Sequence, residues 1–166
     1  RVLRSGAGGF GDGGASTSEK RPPSSGPGGA KDSTNCGATV LGGDYPEGVN
    51  TRLKRETTFV VPPASEMPRL RFWHWYSFSC SAYGEVQIKT VTSSTWTTIS
   101  NTYTWSGCGV WSRAFVELTE WADSTVQIAF FFHSENNGSG SCNYSGVDVS
   151  SGWYVDLVEV VSDPIA

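Results

Sequence analysis

The chain has 166 residues, a formal net charge of −4, and is 37% hydrophobic, 13% aromatic and 17% charged. That length suits one domain with a substantial core. The acidic balance and the lack of a long Lys/Arg cluster argue against nucleic-acid binding, no apolar run approaches the ~20 residues of a membrane span, and the wealth of Thr, Ser, Val and aromatic residues predicts strands rather than helices.

Residues 1–25 form a Gly/Ser/Pro-rich lead with one short strand expected near Val2-Leu3 or Phe10, and a domain is expected over 26–166. The chain starts at Arg1 with no Met and no signal-peptide pattern, so it reads as processed or excised. From residue 36 short apolar-alternating runs recur between Gly, Asn, Ser and Pro. They predict strands near 36–41, 52–60, 69–78, 84–90, 95–103, 111–118, 125–133 and 152–161. Val86, Ile88 and Thr90 share one face against Glu85, Gln87 and Lys89, and Val126, Ile128, Phe130 and Phe132 share another. In the last run Tyr154 and Leu157 fall on one face only if the phase slips, which predicts a bulge or burial on both sides. Leu118–Trp121 makes at most a single turn. Eight such strands predict an all-β fold, an antiparallel two-sheet β-sandwich of the jelly-roll kind.

If successive strands alternate in direction, loops 42–51, 79–83, 104–110 and 134–151 gather at one pole, and the shorter 61–68, 91–94 and 119–124 at the other. Four cysteines, Cys36, Cys80, Cys108 and Cys142, have no metal-ligand spacing and read as disulfides, with buried free thiols the alternative; disulfides point to an extracellular, secreted setting. Three of them lie in the long loops, and their pairing is open. Arg52, Lys54 and Arg55, answered by Glu47 and Glu56, read as a solvated strand end rather than an anion site.

The runs Leu70-Arg-Phe-Trp-His-Trp-Tyr76, Gly84-Glu-Val-Gln-Ile88, Trp96-Thr-Thr-Ile99, Val126-Gln-Ile-Ala-Phe130 and Gly152-Trp-Tyr-Val-Asp156 resemble MAM-like jelly-roll domains of secreted bacterial proteins. They also resemble the wider set of jelly-roll carbohydrate-binding modules. Gly26-Pro-Gly-Gly-Ala30 and Gly37–Tyr45 fit the same pattern. The resemblance implies a structural calcium (Ca2+) held by an Asp on the last strand, and Asp156 stands at that place. It also implies further ligands from a Gly-Gly-Phe-Glu-like start. Here Gly8-Gly-Phe-Gly-Asp12 has Gly11 where the acid is usual and Asp12 one position later.

No HExxH, GxSxG or phosphate-cradling loop is present. Glu85, Glu117 and Glu159 sit on outward strand phases. His74 and His133 lie inside strands, where a core or sheet-face role is expected, so no catalytic site is assigned. Trp96, Trp111, Trp121 and Trp153 are expected in the core, while Trp73 and Trp75 either pack the core or floor a groove. Rings and amides in or beside the long loops, Tyr83, Trp105, Asn136, Asn137, Tyr144 and Asp148, form the candidate ligand-binding set. The expectation is a non-catalytic, monomeric polysaccharide-binding module of a larger secreted protein. The alternative is an accessory, adhesion or assembly module, with residues 1–35 as linker or donated strand.

Overall fold

A computed structural model describes residues 3–4, 16–17, 26–27, 29–31, 36–40, 44–79, 81–135 and 149–162. Twelve strands are seen among them: β1 (Leu3–Arg4), β2 (Ser16–Thr17), β3 (Gly37–Ala38), β4 (Asn50–Lys54), β5 (Phe59–Val60), β6 (Arg69–Ser77), β7 (Tyr83–Thr90), β8 (Thr97–Thr98), β9 (Tyr103–Thr104), β10 (Ser112–Glu117), β11 (Thr125–His133) and β12 (Gly152–Val161). Single 3-10 turns occupy Ala64–Glu66 and Thr119–Trp121.

The first sheet runs β10-β6-β12-β3-β2, with β1 also on β12; the second runs β4-β11-β7-β8, with β5 on β11 and β9 on β7. Every pairing is antiparallel. If β5 is taken as the continuation of β4, and β9 of β8, the eight segments from β3 to β12 fall in the order 1-8-3-6 and 2-7-4-5. That order arises when one antiparallel ribbon is rolled up so that segments 1 and 8, 2 and 7, 3 and 6, and 4 and 5 are neighbours. It is the jelly roll expected from the strand spacing.

Alternation decides what each sheet buries. Leu70 and Phe72 of β6 and Trp153, Val155 and Val160 of β12 face Val86 and Ile88 of β7 and Val126, Ile128, Phe130 and Phe132 of β11 in one core. The phase slip in the last strand is real. Asp156 pairs with Trp73 and Glu159 with Arg71, so three steps on β12 answer two on β6. The bulge lies between Asp156 and Glu159, where Leu157 takes a left-handed φ of 49° and is exposed, so that Val155 and Val158 both turn inward. The expected strand 95–103 is instead two pieces, because the Ser100 hydroxyl, rather than a backbone carbonyl, accepts the Val86 N–H at 2.8 Å. The 52–60 run likewise breaks after Lys54.

The described parts of the long loops do gather at one pole. Tyr45 N–H donates to Ser150 O at 3.0 Å, Gly48 N–H to Glu135 O at 3.2 Å, Phe78 N–H to Trp105 O at 2.7 Å and Gly107 N–H to Tyr76 O at 3.0 Å. The buried Tyr45 hydroxyl donates to Ser79 Oγ at 2.9 Å and accepts its N–H at 2.7 Å. At the other end Asp123 N–H donates to Val61 O and Leu118 N–H to Pro68 O.

Candidate functional site

Of the six residues expected to contact a ligand, Tyr83 and Trp105 are described; Asn136, Asn137, Tyr144 and Asp148 lie outside the described residues, as does Asp12. The two described ones lie at the same pole. Tyr83 opens β7 opposite Thr104, the residue before Trp105. Trp105 is 63% exposed and turns the chain at a left-handed φ of 62°. Its ring is therefore displayed, not packed.

Tyr83 also belongs to a surface that the loop-based reading did not reach. The register sets the outward side chains of the second sheet in rows. Asn50, His133 and Tyr83 form the first, Arg52, Phe131 and Glu85 the second, and Lys54, Ala129 and Gln87 the third, with Gln127 beside Lys89 beyond. Phe131 is an apolar ring on the solvent phase of β11, half-buried, 6.2 Å from the Tyr83 ring. The His133 ring lies 4.8 Å from Tyr83, and its Nδ1 is 2.7 Å from Asn50 Oδ1. Trp96 reaches over this face: its ring lies 5.7 Å from the Arg52 guanidinium and 5.0 Å from Lys89 Nζ. The expectation that Trp96 is a core residue is thus corrected. It sits in the short link before β8, outside the sandwich, and Arg and Lys stems hold it by cation–π contact.

The polar groups on this face are held in place by one another. Arg52 lies 4.6 Å over Phe131 and donates through Nε to Gln87 Oε1 at 2.8 Å. Glu85 accepts from the hydroxyls of Thr98 at 2.8 Å and Thr102 at 3.1 Å. Desolvation, then Glu85 and Glu135, push the Tyr83 phenol above its ordinary pKa. The signal available in the sequence was Phe131 itself, the one large apolar residue among the outward positions 127, 129, 131 and 133.

The outward face of the first sheet is treated differently. Residues 29–31 lie against it. Trp111 Nε1–H donates to Gly29 O at 3.1 Å, Lys31 Nζ sits 4.3 Å over the Trp73 ring, and Lys31 N–H donates to Asp156 Oδ2 at 2.8 Å. Trp75 and Tyr154 are buried there with Cys36 and Ala38 in a second, smaller cluster flanked by Ala30 and Trp111. Trp75 therefore packs a satellite core. Trp111 joins that cluster rather than the main core, while Trp153 and, at its margin, Trp121 take their expected core places. Asp156 is buried at 6% exposure, and its second oxygen accepts the Leu157 N–H at 2.7 Å. A carboxylate whose two oxygens each receive an amide N–H braces the bulge and docks the leading segment. Among the described residues no three His, Cys, Asp or Glu side chains converge on a metal site. Calcium takes six to eight oxygen ligands; in the described contacts both Asp156 oxygens accept amide N–H groups. Cys36 is buried, Cys108 is exposed and the two do not pair; Cys80 and Cys142 lie outside the described residues.

His74 is buried among Phe72, Tyr76, Tyr103 and Trp153, and burial lowers its pKa to about 4. Burial first, with Tyr76 second, pushes the Tyr103 phenol up to about 12. At the edge where the two sheets part, a groove of ≈ 690 Å³ is lined by Asn101, Tyr103, Phe115, Glu117, Glu120 and Trp121, among others.

No protein-family model matches the chain, and no curated protein matches it in sequence. Among solved structures, the Endo-D glycoside hydrolase domain from Streptococcus pneumoniae R6 matches with a TM-score of 0.52 and 13% identity, over 98% of this chain but 21% of that one. Looser likenesses are to a carbohydrate-binding module specific for non-crystalline cellulose (TM-score 0.47, 12% identity, 77% of this chain and 76% of that one) and to a family 16 carbohydrate-binding module (0.39, 12%, 77% and 77%). At these identities the likeness is one of fold, and what those proteins bind or cleave does not transfer with it.

Proposed function

We propose that the chain is a non-catalytic polysaccharide-binding module of a larger secreted protein, and that its ligand lies across the outer face of the β4-β11-β7-β8 sheet, starting at the loop pole. The observation that carries this reading is the grouping of the half-buried rings of Tyr83, Phe131 and Trp96 beside Asn50, Arg52 and Glu85 on a single sheet face, with Gln87 buried beneath Arg52. Sugar rings offer C–H faces to the negative face of an aromatic ring and hydroxyls to flanking donors and acceptors. A ligand recognised in this way needs rings and polar groups fixed before it arrives, and the Arg52–Gln87 and Glu85–Thr98 bonds fix them.

Affinity electrophoresis through gels containing soluble polysaccharides tests it. Retardation is expected in at least one gel, and the double variant Tyr83→Ala, Phe131→Ala is expected to run unretarded while still unfolding in one cooperative transition. Free migration of the parent protein across a broad panel of neutral and acidic glycans refutes the proposal. The strand-donation alternative finds no support here, because β1 and β2 already pair with β12 and β3 of their own chain. A concentration-independent monomer in light scattering is the matching expectation.

A further inference from the structure

We infer that the ligand of this face is an acidic polysaccharide, one carrying carboxylate or sulfate groups, with Arg52 as the anion contact; the inference rests on the proposed sugar-binding face. The whole chain carries a net charge of −4, yet this face presents Arg52, Lys54 and Lys89. Among the described residues none of the three forms an ion pair with Asp or Glu. The carboxylates nearby are Glu85, taken up by Thr98 and Thr102, and Glu135 toward the Tyr83 end.

Arg52 is the most constrained of the three cations. Its guanidinium is flanked by Phe131 at 4.6 Å and Trp96 at 5.7 Å, and its Nε is spent on Gln87. Four of its five N–H donors remain, two of them on the end-on edge that accepts a carboxylate or sulfate in paired hydrogen bonds. Held in this way, the side chain loses little further freedom on binding. Lys89, whose Nζ lies 5.0 Å from the Trp96 ring, and Lys54 in the row after Arg52 extend the positive strip along the sheet, as a polymer with a repeating charge requires. An unpaired cation strip on an acidic protein is poorly explained by solubility alone, and the solvated-strand-end reading of Arg52 and Lys54 does not account for a guanidinium fixed from three sides.

The test compares four polymers by titration at low ionic strength: polygalacturonate, its fully methyl-esterified form, dextran sulfate and polyacrylate. Polygalacturonate or dextran sulfate is expected to bind at least about tenfold more tightly than the uncharged ester. Which of the two binds more tightly identifies the anion. Binding should weaken as salt shortens the screening length. Arg52→Gln is expected to remove most of the preference. The double variant Lys54→Gln, Lys89→Gln, which leaves the Gln87 bond intact, should lower it by about threefold or more. Equal binding of the acid and its ester overturns the inference while leaving the sugar-binding face standing. Equal binding of polyacrylate overturns it as mere polyanion adhesion. Binding of no glycan in either charge state sinks the parent proposal as well.

Discussion

His74 makes the core sensitive to acid, and the size of the effect follows from its surroundings. His74 is 4% exposed, ringed by Phe72, Tyr76, Tyr103 and Trp153, and its Nδ1 finds no hydrogen-bond partner among the described residues. Burial lowers its pKa from 6.5 to about 4. The unfolded chain therefore takes up a proton that the folded chain refuses. Between about pH 6.5 and pH 4 the unfolded state holds more protons, so stability falls as pH falls and levels off below the folded value. Linkage gives a loss of about 2 kcal/mol between pH 7.5 and pH 5, and about 3 kcal/mol once the folded imidazole is charged. His74→Phe keeps the ring and removes both the titration and the orphaned nitrogen, so it should be neutral or stabilising at pH 7.5. The assay is urea unfolding of parent and variant at pH 7.5, 6, 5 and 4.5. The gap between the two proteins should widen by about 2 kcal/mol by pH 5, which separates His74 from carboxylates common to both. Parallel stabilities across that range would refute the account of a neutral, buried imidazole.

Three further outcomes follow from the packing. At Gly84 an added methyl would stand 2.6 Å from the Trp153 ring, so Gly84→Ala should cost about 1–3 kcal/mol in chemical unfolding, and an unchanged midpoint would show that the indole can shift. Asp156→Ala removes the acceptor of two amide N–H groups and should cost about 3 kcal/mol, with the melting temperature of the parent unmoved by chelator; a chelator-dependent drop that the variant lacks would restore calcium as the partner of Asp156. Trp105→Ala should leave the melting temperature unchanged, because the ring is 63% exposed, while weakening polysaccharide retardation in the affinity gel. Unchanged retardation would remove Trp105 from the contact surface.

Strand positions were legible wherever burial is one-sided and uninterrupted. The runs 125–133 and 152–161 are found at those bounds, and even the bulge near Leu157 announced itself as a break in the period of two. The 95–103 run was not legible as two pieces, because the break is made by a side chain: Ser100 replaces a backbone acceptor, and hydroxyls in Thr/Ser-rich stretches give no warning of which one will do so. The polar gathering of loops could be read by counting strand directions. The candidate face of the second sheet could not, because Arg52, Gln87 and Glu85 fall on the outward phase, where charge and amide groups are the default for a solvated surface. Which outward residues hold each other depends on register between β4, β7, β8 and β11, a tertiary fact absent from any one strand.

The two outer faces carry the strongest argument about function. Each sheet of a sandwich needs to bury only its inner side, so rings on an outer side call for a separate explanation. On the first sheet Trp75 and Tyr154 receive a cover: the segment around Ala30 is tied down by the Trp111–Gly29 and Lys31–Asp156 bonds. On the second sheet no described segment lies over Tyr83 and Phe131, and Trp96 is steadied by cations that stay in contact with water. Both faces belong to the same chain, so composition does not distinguish them. A covered aromatic face beside one that no described segment covers, with its guanidinium already clamped, is the arrangement the proposed binding of a partner with hydroxyls and charge of its own calls for.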